Sequence, residues 1–207
     1  MAYDFNGTNQ YVEVATAVAN RPCTLAAWAY LDNVTGARDI VSVSSKTALA
    51  VLRLNVNGTQ FRIADQGNVN AVANGGTVSA NVWNHYAGVF ASGSSRTPYT
   101  NGVAGSENTT SVASITPTFT NIGAFYAGTS TPIQFFDGRM AEIGIWNAVL
   151  TAAEIASLAK GMTPDKICPQ SLVFYAPLVR NLVDAKGGLT ITNNNSATVA
   201  NHPRVYA

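Results

Sequence analysis

The sequence predicts an all-β protein, and three observations carry the prediction. Asn-Gly pairs punctuate the chain at residues 6–7, 57–58, 74–75 and 101–102. Both residue types tolerate the positive φ that tight hairpin turns demand. The runs between them are short and rich in β-branched and aromatic residues, which suit a pleated, half-buried surface. One stretch alone, from Thr151 to Gly161, carries start and stop signals for a helix. Strands at this spacing, separated by turn signals, build a sandwich or a barrel.

Taken in order, residues 10–14 alternate, and Leu25–Leu31 is a strand buried on at least one face. Residues 40–43 and 49–56 follow, then 60–64 after the Asn57-Gly58 turn, with Asn74-Gly75 read as a further turn. Val82–Phe90 is an aromatic-rich strand, and residues 98–100 and 103 flank the Asn101-Gly102 turn. Asp137-Gly138 reads as a turn before a closing strand, in which Ile143 and Ile145 alternate against Glu142, Gly144 and Trp146. Thr151 stands three residues before Glu154, the spacing of a capping box. Ile155, Leu158 and Ala159 form the apolar side of that helix, and Gly161 and Pro164 end it. Residues 171–178 and 189–192 are two further strands, and 193–196 are a loop.

Composition limits the function classes. A chain of 207 residues with 47% hydrophobic residues can bury one sizeable core. Charged residues make up 11%, so Asn, Ser and Thr must supply solubility. Such a surface either suits docking onto a protein or a glycan, or is simply the polar outside of a β protein. The net charge is +1 with no basic run, which argues against nucleic acid. No apolar stretch is long enough to be a membrane span. Met1–Asn6 shows no basic region or apolar run, so we expect a protein that acts where it is made or leaves in an assembly or by lysis. Cys23 and Cys168 have no neighbours at metal-ligand spacing and are expected to be buried free thiols, with a mutual disulfide as the alternative.

Catalysis finds little support. Retaining glycosidases need two carboxylates about 5.5 Å apart, and Glu142 stands alone on its strand, where it reads as a surface or edge residue. His85 and His202 have no Gly-x-Ser-x-Gly partner. We expect no enzyme. For binding, Phe125 and Tyr126 lie in a Gly- and Thr-rich connection. There they either stand out as stacking groups or tuck back beneath the loop. Tyr99 and Asn101, on the next hairpin, complete the candidate binding set. Trp28, Trp83 and Trp146 are assigned to the core.

Several stretches together resemble a laminin-G-like, concanavalin A-like lectin/glucanase domain. They are Phe5–Val12 as an opening hairpin, Leu25–Trp28, Trp83–Phe90 with Tyr99–Val103, and Ile122-Gly123 with Phe136–Arg139 and residues 142–158. The resemblance implies a two-sheet antiparallel jelly-roll sandwich over residues 1–163, with a tail of 164–207 packed on it or on a neighbouring subunit. It also implies calcium as a candidate ligand at the sandwich rim, to which Asp32, Asp65 and Asp137 could contribute. The tail, from Leu172–Leu178 to His202–Tyr206, resembles tails of bacteriophage virion proteins. On that basis the expected function is a non-enzymatic virion component, a capsid decoration or fibre, held by contacts with other virion proteins or with its own copies. The alternative is a carbohydrate-binding module for surface glycans, with or without calcium.

Overall fold

A computed structural model describes residues 1–205; Tyr206, part of the tail resemblance, lies outside the described residues. Two antiparallel sheets face each other across one main core. The first holds β1 (Ala2–Asn6), β3 (Cys23–Leu31), β8 (Trp83–Ser92), β9 (Ser95–Thr100), β10 (Val103–Ala104), β12 (Asp137–Trp146), β13 (Leu172–Ala176) and β15 (Thr198–Ala200). Its order is β10-β9-β8-β3-β12-β1-β15, with β13 also paired to β12. The second holds β2 (Tyr11–Ala15), β4 (Ala37–Ser44), β5 (Val51–Asn57), β6 (Gln60–Gln66), β7 (Asn70–Thr77), β11 (Phe119–Ile122) and β14 (Thr192–Asn194), in the order β14-β2-β11-β4-β5-β6-β7. This is the expected jelly-roll sandwich.

Period-two alternation builds the core. Leu25, Ala27, Ala29 and Leu31 of β3 meet Leu52, Leu54, Val56, Phe61 and Ile63 of β5 and β6 between the sheets. On β12, Ile143 and Ile145 join this core, whereas Trp146 turns to the opposite face. There Trp146 packs under the α-helix α1 (Ala152–Ala159) with Ile155 and Leu158, and its indole N–H donates to the Ile167 carbonyl at 2.8 Å. The capping box forms as expected, with Thr151 and Glu154 each accepting from the other's backbone.

Four local expectations need correction. Asn74-Gly75 is not a hairpin turn but lies within β7. Its pairing to β6 is irregular there, and the backbone runs so close to Phe61 that a side chain at Gly75 would meet its ring at 2.5 Å. Asp137-Gly138 opens β12 rather than preceding it. Residues 193–194 extend the tail strand β14 along β2 instead of looping. Glu142 is neither surface nor edge. It is 5% exposed, at a bulge in the middle of β12 with φ +54°. The bulge interrupts the pairing with β3, and along the opposite side of β12 the neighbour changes from β1 to β13 at the same place.

Candidate functional site

The site builds from β3 and β8. Inward alternation leaves Trp28 and Tyr30 on the outer face of the first sheet, beyond the part the helix covers, and both are partly exposed. Trp83 is partly exposed beside them, and His85 is buried. Direct cross-strand register sets Thr198, Asp4, Arg139, Tyr30 and Trp83 in one row over β15-β1-β12-β3-β8. The Tyr30 and Trp83 rings lie 5.7 Å apart between centroids, and Trp28 and His85 lie 5.5 Å apart. The Arg139 guanidinium sits 4.7 Å from the centre of the Tyr30 ring, a cation–π contact. Burial lowers His85 to about 3, so its imidazole is neutral at physiological pH. The result is a terrace of three aromatic side chains with polar groups at its rim.

A cleft of about 270 Å³ opens at the end of that row, lined by Asp4, Asn6, Gln10, Asp32, Asp137 and Thr198 among others. Burial, then the charges of Asp4 and Asp137, raise the Asp32 carboxyl, and Arg139 opposes them. The Asp137 carboxylate accepts from the Asn33 amide. Asp65 does not belong here. It is buried between the guanidiniums of Arg21 and Arg96. No group of three or more His, Cys, Asp or Glu side chains among the described residues is arranged to hold a metal ion. Of the expected calcium set, Asp32 and Asp137 line this cleft together, whereas Asp65 is held elsewhere by Arg21 and Arg96.

The four binding candidates separate. Phe125 and Tyr126 are 3% and 1% exposed and lie against the other sheet, where they cannot act as exposed stacking groups. Phe125 lies beneath the Arg53 guanidinium at 4.0 Å, and the Tyr126 hydroxyl donates to Glu13 at 2.5 Å. These contacts pull the Gly- and Thr-rich connection down onto the sheet. Tyr99 packs at the edge of the cluster beneath α1. Asn101 is exposed and adjoins the terrace. Its side-chain oxygen accepts from the His85 backbone at 2.8 Å and its amide donates to Asn84 at 2.8 Å. Trp28 and Trp83, which the sequence reading placed in the core, line the terrace instead. The signal was available in the strict alternation of Ala27, Ala29 and Leu31 against Trp28 and Tyr30.

Glu142 accepts from the Tyr175 hydroxyl at 2.5 Å and pairs with His202 at 3.0 Å. It is one buried carboxylate tied into the tail, not half of a glycosidase pair. Both cysteines are free thiols; Cys23 is buried, and Cys168, only partly so, donates to Glu154 at 2.6 Å.

Residues 6–156 match the family model of the concanavalin A-like lectin/glucanases superfamily. None of the curated proteins matches the chain. Among solved structures, a putative carbohydrate binding protein from Bacteroides ovatus is 17% identical, with a TM-score of 0.66 over 97% of this chain. The chain spans only 61% of that protein's length. The CBM40 of the Ruminococcus gnavus IT-sialidase, bound to alpha2,3 sialyllactose, is 12% identical, with a TM-score of 0.59 over 77% of this chain and 98% of that one. Domain 4 of an extracellular arabinanase from Geobacillus stearothermophilus, in complex with arabinotriose, is 16% identical, with a TM-score of 0.60 over 76% of each chain. At these identities the likeness is one of fold.

Proposed function

The chain belongs to the concanavalin A-like lectin/glucanase superfamily, and we propose that it is a carbohydrate-binding protein that holds a glycan on the Trp28–Tyr30–Trp83 terrace. The observation that carries this reading is the placement of three aromatic side chains, in register and partly exposed, on one outer sheet face. Aromatic faces stack on the apolar face of a sugar ring, and the rim groups Arg139, Asp4 and Asn101 bond its hydroxyls. Two of the proteins of similar fold carry an oligosaccharide in their structures, which supports a glycan as the ligand. The third carries the name of a putative carbohydrate binding protein. For that reason glycan recognition stands ahead of the virion role that the tail resemblance implied. Residence in a virion is a separate proposal about where such a module works, checked by copurification with particles at fixed stoichiometry.

The test is a glycan array followed by calorimetry on the sugars that bind. Trp83→Ala and Tyr30→Ala should each weaken binding about tenfold, ~1.4 kcal/mol, with thermal unfolding still cooperative. Undiminished affinity in both variants would remove the terrace from the reading. The same sugars are assayed for released reducing ends, because three carboxylates line the adjoining cleft. Turnover that disappears in Asp32→Asn would replace binding with hydrolysis.

A further inference from the structure

The outer face of the second sheet carries a separate set of polar groups. Register places Asp39, Asn55, Arg62 and Asn74 in one row across β4-β5-β6-β7, and Ser42 and Arg53 side by side in a neighbouring row. Leu52, Leu54, Val56, Phe61 and Ile63 fill the core, so Arg53, Asn55 and Arg62 point the other way. Arg53 is 7% exposed and Asn55 is 1% exposed. Arg53 Nη1 donates to Asp39 at 3.0 Å and to Gln134 at 2.8 Å. Its Nε finds no acceptor in the protein, and neither do Asn55 Nδ2 and Arg62 Nε, while Asp39 Oδ1 in the same row finds no donor. A buried donor without an acceptor is destabilising, because it gives up water and gains nothing in return. Three of them on adjoining positions of one face therefore mark a place prepared for an acceptor.

The charge agrees. Burial and then repulsion from Arg53 lower Arg62, so the two guanidiniums sense each other. The carboxylate beside them, Asp39, is raised to about 7 because burial outweighs its pairing with Arg53, so its negative charge is only partly present at neutral pH. The face is walled on one side by Phe125 and Gln134 and is open toward the exposed Asn57 and Asn74.

We propose that Arg53, Asn55 and Arg62 form an oxyanion site that takes the carboxylate or sulfate group of an acidic sugar. Arginine forks match such planar or tetrahedral oxyanions, and the three unpaired donors supply the hydrogen bonds. The sugar carrier rests on the glycan reading above; the anion site itself does not.

The experiment titrates the full chain by NMR, at ionic strength held constant with sodium chloride, with sodium sulfate, glucuronate, a sulfated oligosaccharide and glucose. Sulfate and at least one acidic sugar should shift the signals of β5 and β6 saturably, and glucose should not. Arg62→Gln should weaken both about tenfold, and Arg62→Lys less. Sulfate no better than chloride, or wild-type affinity in Arg62→Gln, would overturn the site. Sulfate binding without either acidic sugar would overturn the sugar carrier alone. Loss of neutral-glycan binding in Trp83→Ala reports on the terrace independently.

Discussion

At the residue scale, the distinctive feature is how often a polar group is fully enclosed. His85 is the clearest case. Its folded value of about 3 lies below the 6.5 of an exposed imidazole, and burial is the cause. In acid the unfolded chain takes up this proton before the folded one. The contribution is therefore intact above about pH 6.5 and is lost as pH falls from there toward 3. His85→Gln, which does not titrate, should show a smaller drop in urea-measured stability between pH 7 and pH 4 than the wild type. An equal drop would mean that other groups set the acid limb. Asp39, raised to about 7, acts in the opposite sense, favouring the folded state as pH falls from 7 toward 4. The location of Trp146 was legible from the strand alternation. The locations of Phe125 and Tyr126 were not, because their burial depends on Arg53, Glu13 and other residues far away in sequence.

At the element scale, β12 organises the first sheet, since β3 pairs along one side of it and β1 and β13 share the other. This dense pairing leaves no room at its start. Gly138 has φ +129°, and a Cβ there would meet the Tyr30 carbonyl oxygen at 2.1 Å. Gly138→Ala should therefore lower stability by about 3 kcal/mol or more. Gly36→Ala, at φ +74° with open space around the new carbon, should cost only about 1 kcal/mol of backbone strain. Equal urea midpoints for the two variants would show that β12 shifts to accommodate a side chain. The helix was readable from the Thr151 cap and the Gly161 stop because capping is chemistry within one turn. The strand β7 was missed as an element because its Asn74-Gly75 pair gives a turn signal that pairing with β6 overrides.

At the scale of the whole molecule, the residues from 164 onward complete both sheets: β13 and β15 join the first and β14 the second. Phe174, Ala176 and Leu178 lie in the main core. Removing residues 164–207 would uncover Trp146 and open the side of β12 that β13 covers. We expect the truncated chain to lose its cooperative thermal transition and to expose apolar surface to a reporter dye. A cooperative transition in that truncation would show that residues 1–163 suffice.

The sequence by itself determined the fold class, the order of most strands, the capped helix and the faces of β3 and β12, because turn chemistry, capping and period-two alternation act over a few residues. Only the tertiary structure decided which outer faces remain open. The helix and the tail cover part of the first sheet and leave Trp28, Tyr30 and Trp83 accessible, while residues 123–134 fold over part of the second and enclose Arg53. That choice depends on contacts between segments distant in the chain, so no local pattern could carry it.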